Sequence, residues 1–154
     1  MKKLATPLIA IALVCLAAPA AWAQSNEHFV VKAEDLNWQD MAVLPGAKFA
    51  LIEGVLTEAV PFTFRVKFPA NFDIPAHWHP AVERVTVLSG TFNVGEGDKL
   101  DRSKTRSLSA GSFSFIAAKH NHFGWTSEEA VIQLNGVGPW GITFVNPADD
   151  PRKK

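Results

Sequence analysis

The sequence predicts an all-β domain, a sandwich or barrel of short strands. Three observations carry this. Phe62-Thr63-Phe64-Arg65-Val66-Lys67-Phe68 alternates apolar and polar residues without a break, the period of a half-buried strand. Short apolar runs of the same kind recur along the chain. Gly, Pro and Asn clusters separate them, as turns between strands do. At 154 residues there is room for one such domain and little for a second.

Taken in order, strands are expected over residues 47–52, 62–68, 82–88, 91–94, 112–116, 130–134 and 141–145. The separating turns are Pro45-Gly46, Pro69-Ala70-Asn71, Ser89-Gly90, Gly136-Val137-Gly138-Pro139 and Asn146-Pro147. Residues 32–41 have room for one short helical turn ahead of the first strand. Residues 95–107 form the longest polar stretch, and their mixed charges read as an exposed, solvated loop. Phe113 and Phe115 share a strand face and are expected to fill the core. Trp140, between Pro139 and Gly141, is placed to cap one mouth of a barrel.

Residues 1–23 read as a secretory signal peptide. Lys2 and Lys3 form a positive start, residues 8–18 are an apolar run of eleven, and Ala21-Trp22-Ala23 offers a small-x-small cleavage site. The run is short of the roughly 20 residues that span a bilayer, so no stable membrane insertion is expected after cleavage. Cys15 lacks the small residue before it that lipid attachment requires, and no Arg-Arg pair precedes the run. A Sec-type route to the periplasm or exterior is therefore expected. Cleavage would divide the chain into leader 1–23, N-terminal arm 24–46, barrel 47–146 and C-terminal tail 147–154.

Removing 23 of 154 residues leaves 131, and losing two of fifteen cations leaves 13 against 15 acids, a net charge of −2. No nucleic-acid partner is expected of so anionic a chain, which has no excess of cations to displace counterions from phosphates. The single Cys lies in the leader, so disulfides and thiolate metal sites are excluded from the mature chain. With no Tyr either, the candidate chemistry falls to His, Asp and Glu.

Two His-x-His pairs concentrate it. In a strand, residues i and i+2 share a face about 6.6 Å apart, so His77 and His79 can converge on one ion. Glu83 has the same parity but lies roughly 13 Å further along a continuous strand. It joins them only if the chain bends, and Pro80 is where a ladder would break. His120-Asn121-His122 follows a strand and can supply a third imidazole. Three imidazoles and a carboxylate suit one divalent transition ion, Fe, Mn, Zn, Ni or Cu, about equally.

These residues resemble the cupins. The first cupin motif runs Gly, five residues, His-x-His, three or four residues, Glu, six residues, Gly. His77, His79, Glu83 and Gly90 match it, with Asn71 for the leading Gly. The second runs Gly, five residues, Pro-x-Gly, two residues, His, three residues, Asn. Gly111 and His122 match, with Ala117, Lys119 and Thr126 in place of Pro, Gly and Asn. The resemblance implies a double-stranded β-helix, or jelly-roll, barrel holding a metal through His77, His79, Glu83 and His122. It puts His120 at the rim or behind the ligands. It also implies two open coordination positions, a small-molecule substrate or ligand, and dimers through outer strands. Dioxygenase-type chemistry leads by family analogy. The alternative is a non-catalytic module binding metal or a small ligand, which would have a filled barrel and no accessible open position.

Overall fold

The computed structural model describes residues 28–153. It divides into an N-terminal unit, Met1–Val30, and a unit spanning Val31–Lys154. Only residues 28–30 of the first are described; they carry no regular secondary structure, and His28 is exposed. The expected leader 1–23 lies outside the described residues. Among the described residues no helix is long and apolar enough to cross a membrane.

The strands are β1 (Gln39–Asp40), β2 (Lys48–Glu53), β3 (Pro61–Phe68), β4 (Phe72–Trp78), β5 (Glu83–Ser89), β6 (Thr91–Glu96), β7 (Thr105–Ser109), β8 (Phe113–Ile116), β9 (His122–Thr126), β10 (Ala130–Val137) and β11 (Thr143–Phe144). They form a six-stranded sheet, β1-β2-β3-β10-β5-β8, and a five-stranded sheet, β11-β4-β9-β6-β7. Every pairing is antiparallel. The helical turn expected over 32–41 is a single 3-10 turn, Ala33–Asp35.

The inward residues of the two sheets make one core. Phe62, Phe64, Val66 and Phe68 of β3 are each at most 2% exposed. Val85 and Val87 of β5 and Ile132 and Leu134 of β10 continue the layer, with Met41 and Leu44 from the segment before β2. Ile74, Phe92 and Phe144 face them from the second sheet, Phe68 stacking on Phe92 at 5.8 Å. Each such side chain contributes about 1.5–3 kcal/mol of transfer free energy. The described residues contain no Cys, so this core holds the fold without disulfides.

Three expectations are corrected. Residues 95–107 are not one loop: β6 runs on to Glu96 and β7 begins at Thr105, pairing along β6. β7 is an edge strand, and its polar Thr-Arg-Ser sequence faces water on most sides. Phe113 and Phe115 do share a face, but it is the outer one, where they are 58% and 57% exposed. The register of β8 on β5 sets Ile116 opposite Glu83 and Ser114 opposite Val85, so the even-numbered residues point inward. Finally, the strand expected for the first His pair is β4, which begins at Phe72, and β9 begins at His122; neither was among the apolar runs marked as strands.

The substituted motif positions keep their backbone geometry. Gly90 and Gly111 have φ of +70° and +86°, and Asn71 and Lys119, standing where the cupin motifs have Gly, have 56° and 61°. They are the two non-Gly residues with positive φ among the described residues. Thr126, in the Asn position, is fully buried and donates its hydroxyl to Pro69 O at 2.8 Å, tying the second motif to the turn before the first.

Candidate metal centre

A bulge in β4 aims the first imidazole. Ile74 pairs with Gly124 and His77 with His122, so three steps along β4 match two along β9. The extra residue, beside Pro75, shifts the phase and turns His77 onto the inner face opposite His122. His79 follows as β4 ends, and Glu83 opens β5 after the break at Pro80. The bend that the spacing required is therefore present, and it returns Glu83 to the histidines.

The donor nitrogens of His77, His79 and His122 lie within 4.8 Å of one another, all in buried residues. The Glu83 carboxylate stands beside them, Oε1 3.5 Å from His79 Nε2 and Oε2 3.3 Å from His122 Nε2. Each imidazole is oriented from behind by a backbone carbonyl. His77 Nδ1 donates to Pro75 O at 2.7 Å, His79 Nδ1 to Gly141 O at 2.8 Å, and His122 Nδ1 to His120 O at 2.9 Å. That arrangement puts the proton on Nδ1 and turns three Nε2 lone pairs toward one point, as ligating histidines require. His79 Nε2 is buried with no hydrogen-bond partner, a cost that a bound cation would remove.

The electrostatics agree. Burial, reinforced by the neighbouring His122 and His79 rings, pushes the His77 pKa down to about 3. Burial also lowers His79. For Glu83, burial alone would raise the pKa, but the facing His79 and His122 outweigh it and bring it to about 2. Neutral imidazoles beside a carboxylate form the donor set a divalent ion takes without first displacing protons.

Trp140 closes one side, its ring stacked on His79 with centroids 4.4 Å apart and planes at 18°. It also packs edge-on against Phe64 at 4.9 Å, bearing out the expected cap. Trp78 and Trp125 are half-buried. Trp125, three residues past His122 on β9, donates Nε1 to Thr105 Oγ1 and lies under Arg102, facing away from the histidines. His120 sits at the rim, exposed, with Nε2 3.2 Å from Glu96 Oε2. The chamber enclosed by the three histidines, Glu83 and Trp140 has a free volume of ≈ 40 Å³. A larger open cleft of ≈ 650 Å³ adjoins it and shares His122 and Ile116 with it.

The sequence reading missed what orients the ligands. Carbonyls of Pro75, Gly141 and His120 carry no residue-type signal, and only the fold brings Gly141 and Trp140 to His79.

The family model of the ChrR cupin-like domain matches residues 26–135, most of the chain. The chain belongs to that family. Comparison with curated protein sequences finds no match. Among solved structures, this cupin resembles the polyketide cyclase RemF of Streptomyces resistomycificus, with TM-score 0.68 and 15% identity over 82% of this chain and 92% of that one. An RmlC-like cupin of Shewanella frigidimarina gives 0.58 and 18% over 72% and 90%. The anti-sigma factor ChrR, solved with SigE of Rhodobacter sphaeroides, gives 0.52 and 17% over 68% and 50%. At these identities the likeness is one of fold.

Proposed function

We propose that this cupin is an exported mononuclear metal enzyme acting on a small organic substrate, with His77, His79, Glu83 and His122 holding the ion. The observation that carries the proposal is the convergence of three Nε2 atoms, each fixed by a carbonyl behind it and met by one buried carboxylate. Such a set would hold Fe, Mn, Zn, Ni or Cu, and the bound ion would supply Lewis-acid or redox chemistry. Dioxygenase-type reaction is the class we put first, on the cupin resemblance. Export is proposed from the leader pattern of residues 1–23.

The chain's own contributions follow from its geometry. The carbonyl acceptors fix the three rings by their Nδ1 protons, and burial favours the neutral form of His77 and His79. Glu83, between His79 and His122, is the one carboxylate placed to take or return a proton at the centre. Trp140 excludes water from the His79 side. The ≈ 40 Å³ beside the histidines accommodates an ion and little else, so an organic substrate would approach from the cleft, past His122 and Ile116.

That small volume, with each histidine at most 5% exposed, also favours the second reading, a non-catalytic metal-binding module. The neighbours in fold include a cyclase and an anti-sigma factor. The test is whether the ion keeps an open position. Azide added to the Co(II)- and Cu(II)-loaded mature chain should change the ligand-field spectrum under the enzyme reading. Spectra unmoved by azide with either ion would leave the module reading in its place.

A further inference from the structure

The ≈ 650 Å³ cleft beside the chamber carries a charged group that metal binding leaves unused. Its walls are the edge strands of the two sheets, β7 and β8, with β6 as the floor beside β7. The Phe113 and Phe115 rings turn to the outer face, so β8 presents Ser114 and Ile116 to the inside of the cleft. On the other sheet, the pairing sets Val94 opposite both Gly124 and Arg106, and Glu96 opposite His122. Arg106, Val94 and His122 therefore share the inner face of one sheet. Arg106 stands two strands from His122 and two residues off its level, roughly 10 Å across and 7 Å along, or about 12 Å between Cα atoms. The long Arg106 side chain can shorten that gap over Val94.

The cations at this end of the barrel are not equally free. Lys104 Nζ pairs with Asp101 at 3.3 Å, and His120 with Glu96 at 3.2 Å. Arg106, exposed on β7, has neither an ion pair nor a side-chain hydrogen bond among the described residues. Between it and His122 the floor is the half-buried Val94, and Ile116 faces the same space from β8. A planar cationic fork, an apolar middle and a metal centre in that order match an acid that carries a second donor group at its far end.

We propose that the cleft takes a small aliphatic acid with a second oxygen donor, its carboxylate on Arg106, its carbon chain over Val94 and Ile116, and its far oxygen on the ion. The proposal rests on the enzyme reading above and names its substrate class.

Ligand-field titration of Co(II)-loaded residues 24–154 tests it, with succinate, glutarate, adipate, butyrate and azide as the probes. Butyrate offers the ion one carboxylate; the dicarboxylates offer the same group and a second one for Arg106. At least one dicarboxylate should move the spectrum at a concentration about tenfold or more below that needed with butyrate. Arg106→Gln should erase that preference and leave metal content and the azide response unchanged. Arg106→Lys, which keeps the charge without the fork, should retain part of it. Lys104→Gln should change it little, because that ammonium is already paired. No preference for any dicarboxylate, or a preference that survives in Arg106→Gln, would overturn the proposal, while an azide response would leave the enzyme reading standing. Absent Co(II) uptake, or spectra that azide does not move, would sink the enzyme reading and this proposal with it.

Discussion

Lys119 offers a sharp test of how this barrel replaces a missing glycine. It holds φ at 61°, and its backbone N–H donates to His79 O at 2.8 Å, so its turn supports a proposed metal ligand. A side chain with a Cβ costs about 1–2 kcal/mol in the left-handed region. Glycine removes that cost but restores about 0.4–1 kcal/mol of freedom to the unfolded chain. Lys119→Gly should therefore stabilise the metal-free protein by about 0.5–1 kcal/mol, or about 2–4 °C in Tm for a chain of this size. Lys119 is exposed, so little packing is lost with its side chain. Urea unfolding followed by tryptophan fluorescence measures the change. Lys119→Ala, which retains the Cβ, should lie within about 0.5 kcal/mol of wild type. Asn71→Gly should gain less than Lys119→Gly, because Asn tolerates the left-handed region better. Destabilisation by Lys119→Gly, or an equal gain from Lys119→Ala, would refute the reasoning.

Three further outcomes are expected. His77 titrates near 3 when folded and near 6.5 when unfolded, so between those values the unfolded chain binds more protons and stability falls as pH falls. The metal-free protein should lose about 2 kcal/mol between pH 7 and pH 5 in urea unfolding, with Glu83 adding loss below 4.5; a flat profile would contradict the buried neutral imidazole. Gly90→Ala should cost about 2–4 kcal/mol, since a Cβ there would run into the Glu129 carbonyl oxygen at a φ of +70°; calorimetric melting showing wild-type Tm would count against it. Phe113→Ser and Phe115→Ser should stay within about 0.5 kcal/mol of wild type, whereas Phe64→Ala should cost about 3–5 kcal/mol, and comparable losses would reverse the orientation assigned to β8.

What was legible in the sequence followed the regularity of each strand. β3 alternates without interruption, and its buried face is the one the alternation marks. β4 hid behind its own bulge: the phase changes between Ile74 and His77, and Pro75 reads as a strand breaker. β7 was hidden by polarity, because an edge strand with one paired side needs no apolar alternation. For Phe113 and Phe115 the period told that they share a face, while the register on β5 decides which face is outside. Spacing brought His77, His79 and Glu83 into one group across Pro80, and the cupin resemblance singled out His122 from the second pair. The carbonyls that orient the rings and the stacked Trp140 arise from pairings between distant segments, which one sequence does not display.

Metal analysis of residues 24–154 tests the central claim most directly, comparing wild type with His77→Ala and His122→Ala after anaerobic reconstitution with Fe, Mn and Zn. The account predicts about one ion per chain in wild type, the single centre that the clustered donors form, and little or none in either variant. Equal, near-zero metal in all three proteins would contradict it.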